Sequence, residues 1–412
     1  AATIEYTALK AIEDYQNEFQ WHLPHEQRPA GRPLRTTALY PLLQKEGAEF
    51  GVVNGWERVT FFKPTTDFVE QHGYRFNNWH DIVKQEVESL CRDVGILELS
   101  GFNRYSITGP GARKWIDNLT CSRVPASTGR IGLAYFLNEN GNVSGEATLA
   151  LIENDHLWYG SAAAAELHDW DWLQERLPKD SSIRIESLTN DTTTLVIAGP
   201  KSRALLEAAS PREDWSSEAF PWLSVRRCLL GHFEAVVMSV SFCGELGYEL
   251  HIPNQHLIGA YQLLQQQGQA FDLVGFGMYA LESMRLEKGY GHWKADFIDE
   301  YNPIEAGLER FVKLEKSFPG KNGLQQQLDV GIRRRRVLLE VDCETAPCQA
   351  GESVYQGDEV VGTITSAAWG FRVHKNLAMA YLKPECVSVE SPLEVALLGS
   401  RQKVRVTDGS LV

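Results

Sequence analysis

The sequence has no run of about 18 apolar residues, the length needed to carry a helix across a bilayer, and its first residues, AATIEYTALK, lack both an initiator methionine and the basic start and apolar core of a secretion signal. No membrane span and no signal peptide are expected. The seven cysteines contain no CxxC pair and are odd in number, which argues against a complete disulfide framework or a structural zinc site and favours a reducing, cytoplasmic setting. The eleven histidines are scattered without an HExxH spacing, and no GxSxG elbow is present. Metalloprotease and serine-hydrolase chemistry are therefore not expected, and no metal is assigned. Positive charge is in short supply, with 40 Lys and Arg against 54 Asp and Glu for a net charge of -14. That balance disfavours nonspecific binding to nucleic acid or to an anionic membrane, although a local basic pocket can still hold an anionic ligand. What remains, at 43% hydrophobic and 23% charged residues over 412 positions, is the composition of a soluble globular chain with room for two or three domains.

Along the chain, residues 4–19 read as a helix and are followed by HLPHEQRPAGRPLRTT, a Pro/Gly/Arg-rich connector that cannot continue it. Ile82, Val83, Val87, Leu90, Cys91 and Val94 at near-helical spacing predict a second helix over 81–94. From residue 97 to about 306 short apolar strands alternate with amphipathic helices, as in LVIAG followed by residues 200–208, which predicts a mixed α/β or α+β arrangement with antiparallel hairpins. After Lys321 the pattern turns into short strands and turns, and an all-β C-terminal domain is expected. The expected divisions are 1–60 for the N-terminal helix and connector, 61–324 for the α/β body and 325–412 for the β domain.

Three stretches contain residues suited to chemistry. In IGLAYFLNENGNVSGEATLALI, Asn140-Gly141 marks a hairpin turn, and strand alternation puts Glu146, Thr148 and Ala150 on one face and Ala147, Leu149 and Leu151 on the other. Glu146, close to Tyr135 on the partner strand, is either a solvated strand residue or a carboxylate placed to take a proton or face a cation. In SFCGELGYELHIP, Glu245 sits between Gly244 and Gly247, where it is either an exposed turn residue or an acceptor for the paired donors of an amino-pyrimidine edge. In GFGMYALESMRLEKGYGHW, Gly275, Gly277 and Ala280 fit a relaxed GxGxxA dinucleotide fingerprint. The motif comes late in the chain, and no strand with an acidic ribose ligand follows, so a Rossmann site is disfavoured. Arg285 on the same helix is available to a ligand carboxylate or to Glu282 or Glu287. The run Arg333–Arg336 reads as a solvated strand start.

Taken in order, RPAGRPLRTTALYPLLQKEGAEFGVVNGWER, GLAYFLNENGNVSGEATLAL, GELGYEL, MRLEKGY with PIEAGL, and VGTITSAAWGF through LAMAYL resemble the aminomethyltransferase (glycine-cleavage T-protein) superfamily over nearly the whole chain. Within it, they are similar to the C-terminal folate-dependent part of dimethylglycine and sarcosine dehydrogenases. The resemblance implies an α+β, T-protein-like fold, with two mixed α/β domains and a C-terminal all-β domain around a central opening for tetrahydrofolate. By position it implies Glu146 beside the reactive folate nitrogens, Tyr135, Thr148 and Gly160 lining the pocket, Glu245 on the pterin and Arg285 near the folate. Glycine-cleavage T-proteins carry Asp where Glu146 stands, one methylene shorter. The implied activity is one-carbon transfer in the demethylation of an N-methyl amine, forming 5,10-methylene-tetrahydrofolate. The family's flavin-binding domain has no counterpart in these residues, so FAD is expected on a separate domain or flavoprotein subunit. Two alternatives stand beside this reading. One is a flavin-independent demethylase taking methyl from a sulfonium, quaternary amine or methoxy donor; the other is a non-catalytic folate-binding scaffold.

Overall fold

Strand alternation sorts most of the chain into three sheets in the computed structural model, which describes residues 3–388, 390, 392–407 and 409–412. A six-stranded sheet runs in the order Val225–Leu230, Phe233–Met238, Gly247–Pro253, Thr192–Ala198, Val94–Leu99 and Leu273–Gly275. Its last pair is parallel and the others are antiparallel. Leu195, Ile197, Tyr248, Leu250 and Ile252 bury one face of this sheet against Leu205, Leu206, Leu257 and Leu264 of the covering helices. Helix His80–Arg92 adds Val83, Val87 and Leu90 to the same cluster, in close agreement with the expected 81–94.

A five-stranded antiparallel sheet follows the order Arg130–Leu137, Val143–Glu153, His156–Ser161, Asn103–Thr108 and Arg184–Ser187. Ala147, Leu149, Leu151, Tyr159 and Phe136 line its covered face with Ile116 and Leu173, the side opposite Glu146 as alternation requires. The third sheet is a closed six-stranded barrel built from Arg335–Val341, Lys375–Leu382, Glu359–Gly370, Ser353–Gln356, Leu393–Leu397 and Ser400–Val406. The fold is thus two mixed α/β units and an all-β barrel.

Both expected domain cuts fall inside elements. Residue 60 lies within strand Trp56–Phe62, which pairs with Ala48–Val53, and Phe50, Val59 and Phe61 share the core of the six-stranded sheet. Residue 325 lies within helix Lys321–Val330, whose Leu324 packs with Leu137 and Val143 of the five-stranded sheet. Gly141 makes that packing possible: it adopts φ +88° at the hairpin turn, and a Cβ there would lie 2.2 Å from the Leu324 backbone nitrogen.

The dinucleotide-like segment does form a strand, a turn and the helix Met278–Glu287. Its helix start is closed, however, because the Gly277 N–H donates to the Glu86 carboxylate at 3.0 Å and a Cβ on Gly277 would meet the Thr60 carbonyl oxygen at 2.0 Å. No phosphate can approach through that position. All seven cysteines are free thiols. Among the described residues no helix is long and apolar enough to cross a membrane and no metal-holding cluster occurs.

Candidate functional site

The uncovered face of the five-stranded sheet is pinched at both ends. At one end Ile131, Ala150 and Trp158 pack with Val225, Val236 and Met238 of the six-stranded sheet. At the other, Tyr135 and Leu137 join Trp293, Phe297 and Phe318 of the long 288–320 segment and Tyr381 of the barrel. Between them Leu133, Thr148, Gly160 and Arg104 stand in one cross-strand row, and Leu133 keeps 36% of its surface open. In this row Thr148 separates the half-open Leu133 from Gly160, which has no side chain to stand above the sheet.

Glu146 stands next to this row, paired across the strands with Tyr135. The Tyr135 hydroxyl donates to Glu146 Oε1 at 2.8 Å. Tyr135 is itself fixed: its amide donates to Ser122 Oγ, its carbonyl accepts from Cys121 N and Thr120 Oγ1, and its ring packs on Phe297 and Phe311. Burial raises the Glu146 carboxyl to about 7; the Tyr135 hydrogen bond and the Arg336 charge pull it down, and Asp296 pushes it up. A carboxyl raised from the ordinary range toward neutral pH is suited to exchanging a proton. Gly160 needs no unusual backbone, and a Cβ there would meet nothing nearer than 3.8 Å. The chain's own packing therefore does not require a glycine at this point of the row.

Arg285 is not presented to a ligand. It is 2% exposed, its Nε donates to Glu282, and its Nη1 donates to both the Tyr290 carbonyl and Asp296, each at 2.9 Å. The pairing with Glu282 is one of the alternatives the sequence left open for this residue, and the contact with Asp296 adds a role in holding that carboxylate. The fully buried Asp296 also accepts from the Thr365 and Ser366 hydroxyls, at 2.5 and 2.7 Å, and so ties the barrel to the α/β body beside Glu146. Arg335 and Arg336 correct the reading of the arginine run as solvated. Arg336 donates to the carbonyls of Ala306 and Gly289, and Arg335 donates to the Ile304 carbonyl and pairs with Glu309.

Glu245 is placed against the barrel. The Glu245 carboxylate pairs with Arg372 of the barrel at 2.6 Å, and Arg372 also pairs with the buried Glu287. Among the described residues no hydrogen bond or ion pair joins Glu245 to Tyr135, Glu146 or Thr148. Sequence reasoning passed over a different carboxylate. Glu249 lies in strand Gly247–Pro253, opposite Met238, and 3.3 Å from the His251 imidazole, whose ring meets the edge of Trp158 across the junction. It therefore faces the five-stranded sheet, whereas Tyr248 and Leu250 are buried on the other side. The alternation in GYELHIP was the available signal.

The GCVT N-terminal domain model matches residues 39–316, the glycine-cleavage T-protein C-terminal barrel model residues 334–412, and the FAD-dependent oxidoreductase central domain model residues 1–37. The chain belongs to the aminomethyltransferase (glycine-cleavage T-protein) family, whose members bind tetrahydrofolate. Mitochondrial dimethylglycine dehydrogenase of Rattus norvegicus is 31% identical over all of this chain and 48% of its own length. The mitochondrial pyruvate dehydrogenase phosphatase regulatory subunit of Mus musculus is 30% identical over 85% of this chain and 42% of its own. The chain thus spans about half the length of these relatives. The glycine cleavage system aminomethyltransferase T of Bartonella henselae superposes with a TM-score of 0.79 at 21% identity, covering 92% of this chain and 98% of that one, which shows the shared fold.

Proposed function

We propose that this chain transfers a one-carbon unit to tetrahydrofolate in the demethylation of an N-methyl amine of the dimethylglycine or sarcosine type, with a FAD flavoprotein carrying out the oxidation. The observation that carries the reading is Glu146: among the described residues its only hydrogen-bond donor is the Tyr135 hydroxyl, and it stands beside a row left without a side chain at Gly160. The site fits a reduced folate, because Leu133, Thr148 and Gly160 suit a planar ring and Glu249 offers acceptors for amino-pyrimidine donors. Reduced folate supplies the nucleophilic nitrogens that accept the one-carbon unit.

Glu146 takes the proton released by the attacking nitrogen, and its negative charge favours the cationic carbon donor. Tyr135 holds the carboxylate in place, and Asp296 and Arg336 set its proton affinity from opposite sides. The seven free thiols support a reducing compartment, the cytoplasm in the first instance, as the place of action. Cell fractionation against mitochondria checks this, since the rat relative is named as mitochondrial.

Titration of the chain with folinic acid, followed by tryptophan fluorescence, tests the pocket. Saturable binding at micromolar levels is expected, and a folded sample that shows none refutes the reading. Analysis of the folate product then separates the mechanisms, with methylene-tetrahydrofolate expected and methyl-tetrahydrofolate indicating direct methyl transfer. The similarity to a regulatory subunit supports a second reading, a folate-binding scaffold, for which binding would occur without turnover.

A further inference from the structure

Arg285 and Arg372, which hold the barrel to the α/β body, each pair with two carboxylates, Glu282 and Asp296 for the first and Glu245 and Glu287 for the second. Arg104 does not follow that pattern. It is 3% exposed, yet among the described residues its Nε has no hydrogen-bond partner. Its Nη1 reaches Thr192, donating to Oγ1 at 3.2 Å and to the carbonyl at 3.4 Å. Among the described residues no carboxylate forms an ion pair with it; Glu249 and Glu98 act on it only through space, and burial pulls it down to about 10. A buried charge without a partner is costly, and an open buried donor calls for an acceptor from elsewhere.

The position of Arg104 says where that acceptor comes from. Tyr105 is buried in the covered face of the five-stranded sheet, so by alternation Arg104 stands on the open face, directly across from Gly160. Gly160 has no side chain to come between the guanidinium and a ligand lying on Thr148. The Arg104 backbone is pinned, its amide donating to Thr189 Oγ1 at 3.0 Å and its carbonyl accepting from Leu188 N at 2.7 Å. Glu249 approaches from the six-stranded sheet, 3.3 Å from His251. Glu98 lies opposite Leu195, on the helix-covered side of that sheet. The guanidinium and the Glu249 carboxylate thus approach each other from the two sheets without pairing.

We propose that Arg104 donates to the ring carbonyl of the pterin while Glu249 accepts from its amino and ring N–H groups, so that the two together read the 2-amino-4-oxo edge. This deepens the proposed function and rests on it. Such an edge carries an acceptor oxygen beside two donors, which suits a guanidinium and a carboxylate standing apart. A 2,4-diamino ring replaces the oxygen with a donor amino group, and the buried guanidinium then meets N–H groups and stays without an acceptor. Arg104 is therefore the residue that sets specificity for a 4-oxo ring.

The test is a pair of titrations on the full chain, with folinic acid and with its 4-amino analogue, followed by tryptophan fluorescence. Wild type should bind folinic acid at least about 100-fold more tightly than the analogue. Arg104→Met should weaken folinic acid binding about 10- to 100-fold while changing the analogue much less, so that the preference falls to about tenfold or below. Arg104→Lys, which keeps the charge but loses the planar fork, should show an intermediate preference. Equal affinity of wild type for the two ligands would overturn the proposal, and that measurement needs no variant to fold. So would an Arg104→Met chain that loses both ligands equally, as a merely structural arginine would, or one that keeps the full preference. A folded wild type that binds neither ligand would remove the folate reading and this assignment with it, whereas folinic acid bound without preference would sink the assignment alone.

Discussion

Tyr135→Phe isolates the hydrogen bond that holds the proposed base. The substitution keeps the ring against Phe297 and Phe311 and removes only the hydroxyl that donates to Glu146 at 2.8 Å. The Glu146 carboxyl sits at about 7 because burial raises it and the Tyr135 hydroxyl, ahead of Arg336, draws it back. A hydrogen bond to a charged group is worth about 1.5–3 kcal/mol, and about 1.4 kcal/mol equals one pH unit, so the carboxyl should rise by about one to two units in the variant. A base works only when ionised. The rising limb of kcat/KM should therefore move from about pH 7 to about pH 8–9, lowering the rate about 5- to 50-fold at pH 7 and much less at about pH 10. The assay is a pH profile of one-carbon transfer, supported by carbon-13 NMR of glutamate carboxyls with Glu146→Gln assigning the resonance. An unmoved limb, or one displaced to lower pH, would refute the argument. A loss equal at all pH values would make Tyr135 a binding residue instead.

Gly160→Val should fold normally, since a Cβ there finds nothing within 3.8 Å, yet weaken folinic acid binding by about tenfold or more through lost space in the row; unchanged affinity would remove Gly160 from the pocket. Glu98, 4% exposed with Oε1 unpartnered, is raised by burial to about 8 from 4.5 despite the Arg58 charge. Because the folded state then holds the proton more tightly than the unfolded one, wild type should lose stability relative to Glu98→Gln as pH rises from about 5 to about 8, and no further above that. Urea unfolding at about pH 5.5 and 8.5 should show a change of about 2–4 kcal/mol between the two proteins. Glu86→Ala strands the Phe62 and Gly277 amides, both of which donate to its carboxylate; two buried unpaired donors should cost about 2–5 kcal/mol, read as a fall in Tm by calorimetry.

Local periodicity made the elements legible but not their assembly. The 81–94 helix could be read because Val83, Val87 and Leu90 recur on one face and need a core wherever that core comes from. Residues 48–60 read as part of a connector because strand Trp56–Phe62 is buried on nearly every residue and so shows no alternation; its partners, Leu97 and Met284 among them, lie far along the chain. The helix Lys321–Val330 was missed because it buries a single residue, Leu324, and is held by the hairpin turn about 180 positions earlier. The parallel pairing of Leu273–Gly275 with Val94–Leu99 is likewise non-local, and no window of sequence contains both strands.

The same division runs through the site. Tyr135 beside Glu146 could be read because a turn at Asn140-Gly141 fixes antiparallel register on both sides. Glu245 was singled out by a turn motif, and a turn residue is outside strand alternation, so its direction is set by whatever it meets. It meets Arg372, which arrives from the barrel 127 residues later. Glu249 obeys alternation: with Gly247 and His251 it faces away from the core that holds Tyr248, Leu250 and Ile252, and that side leads to Trp158 and the row. Alternation and the turn motif thus point to different carboxylates, and the two can be told apart by titration. If Glu249 accepts paired donors from the ligand, Glu249→Gln should weaken folinic acid binding by about 10- to 100-fold, the value of one charged hydrogen-bonding group. Glu245→Gln should instead lower Tm by loosening the barrel at Arg372, with little change in affinity. The reverse pattern in the same two titrations would return the pterin role to Glu245 and show that Arg372 releases it when ligand binds.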